Sequence, residues 1–456
     1  MNMINLKKNA SAVTLLLLMF VAACSVYDNE PNRPVLPEGA VTGTDVSIEE
    51  AEKNLISFLS GEPMTRSGKT RAIASKFSLG GIVTRADGET EEEPFVHVFN
   101  FDDNEGFAIL SGDRRTSPIL CVIDKGTLNE DTVVDDPGFA MMLSELDTYY
   151  RIKTGLPVTD IYGNRGIVVD PEPDISRCDG YYYGDWETSS SAGTIIDCEW
   201  DQHEPFNEHC ITEDGEQAVV GCTAIAVAQI MYYWGKTLNY NGVYWDWSKM
   251  RRIKDYQSSE DLTEEWFLVK RLLRVFGTPD NLNANYGVDG TGASIDNVAR
   301  TFKNFSYASG GSFEDYDYNK LEEQIAYGPA MGSGHCIKEV TKDKFLGVTV
   351  KTHVRYKEGH SWVFDRTLTR RRDVTIIENY VESHDVEYQR LVHINMGWGN
   401  EERSKLYKNH KIYSNGYYLY TRFDATVPPV TRGTETSGTS YYFQYDLKMN
   451  CGIRVY

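Results

Sequence analysis

Four residues of this chain have the types and settings from which thiol chemistry is assembled. Cys222 opens the run Gly221-Cys222-Thr223-Ala224-Ile225-Ala226-Val227-Ala228-Gln229-Ile230-Met231-Tyr232-Tyr233-Trp234-Gly235. That run is apolar on nearly every face for about three turns, the pattern of a helix buried in a core. At a helix N-terminus the unpaired amides and the dipole stabilise a thiolate and make sulfur a nucleophile near neutral pH. Gly221 before it has no side chain, so a substrate backbone can approach. The segment alone reads equally well as a small buried cysteine capping a core helix.

A thiolate nucleophile needs a proton carrier. His360 lies in Glu358-Gly359-His360-Ser361-Trp362-Val363-Phe364-Asp365, a glycine turn opening into a strand, and so projects from the rim of a sheet. It follows Cys222 by 360 minus 222, or 138 residues, inside the roughly 130 to 150 that separate a papain-type cysteine from its histidine. A third group fixes the imidazole tautomer in such sites. Asn395 fills that role at the end of Leu391-Val392-His393-Ile394-Asn395, with Trp398 close by to exclude water, and His393 on the same face reads as structural. The oxyanion needs donors in place beforehand. The Cys222 amide is one, and Gln202 in Trp200-Asp201-Gln202-His203-Glu204-Pro205-Phe206-Asn207 is the second; taken alone, Gln202 reads as a surface glutamine before a turn.

Other constellations compete less well. Cys198, His203, His209 and Cys210 lie close together but lack zinc-ligand spacing, so no metal is assigned. Free thiols and a Cys198–Cys210 disulfide both stay open for that pair. The carboxylates Asp365, Asp373, Glu378 and Asp385 read as solvated groups around a loop. The many tyrosines, Tyr181-Tyr182-Tyr183 among them, have no suitably paired carboxylates for sugar chemistry. The glycine-rich stretch from Asn285 to Ser294 lacks the Lys and Ser/Thr of a phosphate-binding loop. No cofactor is implied.

The elements that must hold these residues fall into two groups. Upstream, Ser47 caps an amphipathic helix stopped by Gly61 and Pro63; strands follow at Phe95 to Phe101, Gly106 to Ser111 and Pro118 to Ile123, and a helix at Gly138 to Lys153. The basic residues Arg66, Lys69, Arg71, Lys76 and Arg85 read as a solvated loop. Periodicity fails between Gly155 and Gly193, which reads as a boundary on the surface. Helical signals return at Gly221 to Trp234, Glu264 to Phe276 and Ile295 to Phe305, and strands dominate from Phe345 to Phe423. Helices first and strands later give an α+β fold.

Charge and composition exclude several classes. The chain has 46 Lys and Arg against 67 Asp and Glu, a net charge of -21, which argues against a nucleic-acid partner held through phosphates. Hydrophobic residues at 41% and charged at 25% describe a globular protein, and eight cysteines are too few for a disulfide scaffold. Lys7 and Lys8 followed by the apolar run Leu15 to Ala23 read as a secretion signal too short to span a bilayer. Val21-Ala22-Ala23-Cys24 resembles the lipobox of bacterial lipoproteins, which implies lipidation at Cys24 and an extended tether through Pro31, Pro34 and Pro37. An ordinary signal peptide is the alternative.

Taken in order, Trp-Asp-Gln with Pro-Phe-Asn, the Cys222 helix with Ala228-Gln229-Ile230-Met231, Gly359-His360 with Val363 and Asp365, and Asn395 with Gly397-Trp398-Gly399 resemble the streptopain family of secreted papain-like cysteine peptidases. Upstream, Gly106 to Asp113 and Ser117 to Leu120 resemble that family's propeptide. The resemblance implies a papain-like catalytic domain, a helical part carrying the cysteine and an antiparallel sheet carrying the histidine, behind a small α+β propeptide. It makes Cys222 the nucleophile, His360 the base and acid, Gln202 the oxyanion donor and Asn395 the histidine orienter. Gly359, Gly292, Ser294 and Trp398 then border the substrate cleft. Two departures stand out: Met396 follows the asparagine where the family has tryptophan, and insertions fall near 332–356 and 366–390.

The implied organisation is a signal peptide over 1–23, a lipidated tether over 24–45, a propeptide over 46–155, a linker and activation region over 156–194, a catalytic domain over 195–425 and a C-terminal extension over 426–456. Peptide substrates, the chain's own propeptide as intramolecular inhibitor, and a membrane reached through the lipid are the expected partners, with the cell envelope as location. A catalytically silent surface-binding lipoprotein on the same scaffold is the rival reading.

Overall fold

A computed structural model describes residues 41, 43–61, 71–84, 90–134, 137–159, 165–166, 180–335, 343–350, 359–378, 381–398, 414–420 and 448–456. Cys24, the signal, most of the tether, part of the activation region, and Arg66, Lys69 and Arg85 lie outside the described residues.

The frame is one twelve-stranded sheet. Its strands are β1 (Ile73–Thr84), β2 (Thr90–Phe101), β3 (Phe107–Ser111), β4 (Ile119–Ile123), β5 (Gly180–Tyr183), β6 (Glu187–Gly193), β7 (Ser309–Asp315), β8 (Ala330–His335), β9 (Gly359–Glu378), β10 (Val381–Asn395), β11 (Gly416–Leu419) and β12 (Lys448–Arg454). They lie in the order β1-β2-β3-β4-β11-β10-β9-β8-β12-β7, with β5 and β6 paired to β9. Among the described residues the helices packed around it include α1 (Ile48–Gly61), α2 (Pro137–Thr154), α3 (Cys222–Trp234), α4 (Thr263–Phe276), α5 (Val298–Asn304) and α6 (Tyr318–Tyr327).

The local rules hold where the sequence pattern is strong. Ser47 Oγ accepts from the Glu50 amide at 3.2 Å, capping α1, whose Ala51, Leu55, Phe58 and Leu59 are buried. Helix α3 is buried at ten consecutive positions, 223 through 232. No face of it meets solvent along that stretch, so it serves as the spine of the core. Gly235 ends it in the left-handed conformation at φ 59°. One apolar cluster surrounds α3, with Trp200, Phe206, Trp245, Trp247, Leu272 and Phe302. A second joins the upstream segment to the sheet, running from Leu55 and Phe99 through Ile109 and Val122 to Leu391 and Tyr418.

The expected propeptide and catalytic halves therefore share a sheet as well as a core. Strand β4 pairs antiparallel with β11, in the register Gly416↔Ile123, Tyr417↔Val122 and Tyr418↔Cys121.

Four sequence expectations need correcting. The upstream basic run is not a loop throughout: β1 occupies 73–84, Lys76 pairs with Glu52 at 2.7 Å, and Arg71 is buried against Asp124 at 3.1 Å. Alternating small and apolar residues pair with β2 there, and the charges sit where carboxylates meet them. The boundary region does not run on to 194, because β5 and β6 pair with β9 and so belong to the twelve-stranded sheet. The C-terminal extension is no extension at its end: β12 lies between β8 and β7, with Met449 and Ile453 fully buried. The insertion at 366–390 is a long β9–β10 hairpin. Arg370 is 2% exposed in it, stacked over Phe58 and Trp186 and bonded to Gln389 Oε1 and Ser57 Oγ. Its charge is covered by aromatic faces and hydrogen-bond acceptors, so it is interior.

Candidate active site

Helix α3 and strand β9 bring Cys222 and His360 together. Gly221 precedes the cysteine at φ 94°, a conformation that favours glycine, and a Cβ there would meet Thr291 O at 3.0 Å. The half-buried thiol takes a hydrogen bond from the Ser361 amide at 3.3 Å. Burial by itself would push its pKa up. The charge of His360 and its hydrogen bond, the Ser361 amide and the Thr223 hydroxyl outweigh that, and the thiol sits below an ordinary cysteine. Cys210 and Cys451 do the opposite: burial drives them up to about 11 and about 12. A thiol held below its ordinary range can serve as a nucleophile, and one raised by burial is inert.

His360 Nε2 lies 2.9 Å from the Met396 carbonyl oxygen. A carbonyl only accepts, so Nε2 carries the proton of that bond, and Nδ1 is the nitrogen left to exchange a proton with the thiol. The ring stacks against two indoles, Trp398 at 5.3 Å and 14°, and Trp362 at 6.2 Å and 27°. These plates restrict the imidazole to one plane and hold water off its faces. Trp398 also stacks against His203, at 6.4 Å.

His203 neighbours Gln202, and the Gln202 carbonyl accepts from the Val220 amide at 2.9 Å, two residues before the nucleophile. Gln202 is 4% exposed, and its buried Nε2 has no hydrogen-bond partner among the described residues. A buried donor without an acceptor costs about 1–3 kcal/mol. It is the arrangement expected of a donor held for charge that develops only during reaction.

The hydrogen bonds of the Asn395 side chain go elsewhere than to His360. Asn395 Nδ2 donates to the Cys198 carbonyl at 3.0 Å, and its Oδ1 accepts from Gln229 Nε2 at 3.0 Å and from the Gly397 amide at 3.2 Å. The imidazole is held from the next residue, by the Met396 carbonyl, and Asn395 grips the far end of that same peptide unit. The hydrogen-bonding role expected of the Asn395 side chain toward His360 is therefore made by main chain. The sequence gives no sign of this, since a carbonyl is present at every position.

Among the remaining cleft candidates, Ser294 Oγ caps the short turn at Ile295–Asn297 by accepting from the Asp296 amide at 3.2 Å, and exposed Gly292 bridges to Asn285. Gly359 is exposed at the start of β9, next to His360. Cys198 and Cys210 are both buried thiols, and no disulfide joins them. Among the described residues no group of three or more His, Cys, Asp or Glu is placed to hold a metal ion.

Asp365 is fully enclosed and not a solvated loop carboxylate. Its Oδ2 accepts from the Ile196 amide at 2.8 Å, and its Oδ1 meets His393 Nδ1 at 2.5 Å. The other nitrogen of His393 reaches Asp124 Oδ2 in the upstream half at 3.0 Å. Burial alone would lower the His393 pKa, but the two carboxylates raise it to about 9, so the ring is charged at neutral pH. The sequence pattern marks His393 as structural but carries no sign of this bridge, because Asp124 stands 269 residues away.

Residues 200–403 match the family model described as "Peptidase C10 family", and residues 44–150 match "Spi protease inhibitor". A segment similar to the C10 peptidases thus follows a segment similar to a protease inhibitor, on an α+β fold. It is 25% identical over 248 residues to the "Thiol protease/hemagglutinin PrtT" of Porphyromonas gingivalis, a match that takes in 48% of this chain and 25% of that protein's length. Among solved structures it is similar to a prointerpain A fragment of Prevotella intermedia, at 17% identity and a TM-score of 0.44, covering 82% of this chain and 98% of that one. It is also similar to active interpain A of the same organism, at 17% identity and a TM-score of 0.32, covering 61% and 96%.

Proposed function

We propose that this chain is a streptopain-like cysteine endopeptidase, made as a zymogen, exported by its first 23 residues and anchored to the bacterial envelope by a lipid on Cys24. The observation that carries the reading is the Cys222–His360 pair, with the thiol drawn below its ordinary pKa and a buried, unpaired Gln202 amide tethered to the same loop.

In this reading the Cys222 thiolate attacks the carbonyl carbon of a peptide. The electron pair moves to the oxygen, which Gln202 Nε2 and the Cys222 amide receive. His360 gives the proton on Nδ1 to the leaving amine, the C–N bond breaks, and a thioester remains on sulfur. Water then attacks the thioester while His360 takes its proton, and the acid product leaves with Cys222 restored as thiolate. Trp362 and Trp398 keep the ring aligned through both steps.

Residues 46–155 act as the intramolecular inhibitor. The inhibitor-model match over 44–150 and the β4–β11 pairing support this. Cleavage in the activation region frees the catalytic domain from both inhibitor and lipid, because Cys24 lies on the inhibitor's side. Since β5 and β6 are paired into the catalytic sheet, the cut falls ahead of Gly180. Purified full-length protein held under reducing conditions should shorten to a species beginning before Gly180 and gain activity on peptides, while Cys222→Ala stays intact. A full-length wild-type chain that never shortens and hydrolyses nothing would leave the silent-binding reading in its place.

A further inference from the structure

The residue that holds the catalytic base in place is itself held from two sides, and only one side belongs to the active-site motifs. The Met396 carbonyl carries His360 Nε2 at 2.9 Å. The Gly397 amide of the same peptide unit is tied to Asn395 Oδ1 at 3.2 Å. The Met396 amide is tied at 2.7 Å to the side-chain Oδ1 of Asn415, which is 6% exposed just ahead of β11. A carbonyl can orient an imidazole only if its own backbone cannot turn. Asn395 pins the unit after the Met396 α-carbon, and Asn415 pins the unit before it. Met396 is fully buried, and a Cβ on Gly397 would meet Ile225 Cγ2 of α3 at 2.8 Å, so the segment cannot shift by sliding.

We propose that Asn415 is a positioning residue for His360, acting through Met396, and that this is why an asparagine stands before β11. The proposal rests on the Cys222–His360 reading above. Its main-chain carbonyl also accepts from the Asp124 amide at 2.9 Å, so the upstream strand β4 ends on the residue that sets the base. Loss of the Asn415 acceptor leaves the Met396 amide buried without a partner and lets the carbonyl swing. The ring then loses its preferred plane and tautomer, and with them its hold on the thiolate.

The test is the pH dependence of Cys222 alkylation by iodoacetamide in the full chain, read peptide by peptide by mass spectrometry, beside peptide turnover. Wild type should show a reactive limb well below the ordinary thiol range of about 8.5. Asn415→Leu should move that limb toward the ordinary value and lower kcat about 10- to 100-fold with KM little changed. Asn415→Asp, which keeps an acceptor oxygen, should restore the limb. A purely structural role would lower the unfolding temperature without moving the limb. If Asn415→Leu does not fold, Asn415→Ala takes its place. A folded variant without the acceptor that keeps the wild-type limb and kcat overturns the proposal alone. A wild type with no low limb overturns the Cys–His reading beneath it.

Discussion

Replacing Gln202 by leucine should separate catalysis from stability. The Gln202 Nε2 is buried with no partner among the described residues, so Gln202→Leu breaks no hydrogen bond of that group in the resting protein. It removes a donor whose burial costs about 1–3 kcal/mol, and the unfolding midpoint should stay level or rise. In the proposed transition state the same group faces the oxyanion, where losing one donor costs about 2.7–4 kcal/mol, or roughly 10²–10³ in kcat. Two assays read these terms apart. Hydrolysis of a fluorogenic peptide should fall by that factor. Alkylation of Cys222 by iodoacetamide is displacement at a saturated carbon and forms no oxyanion, so its rate should be unchanged. Hydrolysis at the wild-type rate, or equal losses in both assays, would refute the oxyanion assignment, the second outcome by showing that Gln202 supports the thiolate instead.

Other perturbations test neighbouring parts. Asn395 makes three hydrogen bonds in a fully buried setting, so Asn395→Ala should destabilise the fold by about 1–3 kcal/mol as well as slow turnover; denaturant midpoints beside kcat would show whether both occur. His393 has its pKa raised from 6.5 to about 9, so its stabilising contribution is complete below 6.5 and is lost as pH climbs through 9. The urea midpoint of a Cys222→Ala chain should fall over that window, and His393→Gln should flatten that part of the fall. Asp124→Asn weakens the same bridge from the upstream side and should hasten self-processing, followed by gel analysis over time. Cys24→Ser should move the protein out of the membrane fraction with peptidase activity intact.

Much of this arrangement was legible in the residues because it follows from local pattern. The Cys222 helix announces itself by unbroken apolarity between two glycines, and α1 by its cap and spacing. Strand β4 and the Gly359-His360 strand show through their apolar runs. What escaped depends on distant pairing. Arg370 looks like a surface charge until Phe58 and Trp186 close over it. Strand β12 reads as a tail because nothing in Lys448 to Arg454 says that it inserts between β8 and β7. Asn395 satisfies the expected motif, yet its amide turns toward Cys198 and Gln229. Asn415 carries no signal, since its role lies in one main-chain amide across a strand.

The account stands on Cys222 as a reactive nucleophile paired with His360, and an epoxysuccinyl peptide addresses that directly. Incubated with the matured protein at neutral pH and analysed by peptide mass, it should form one adduct, on Cys222, and hydrolysis should stop in proportion to labelling. His360→Ala should abolish the adduct with the fold intact. Continued hydrolysis in protein fully labelled at Cys222, or no adduct there while Cys198, Cys210 or Cys451 reacts, would contradict it.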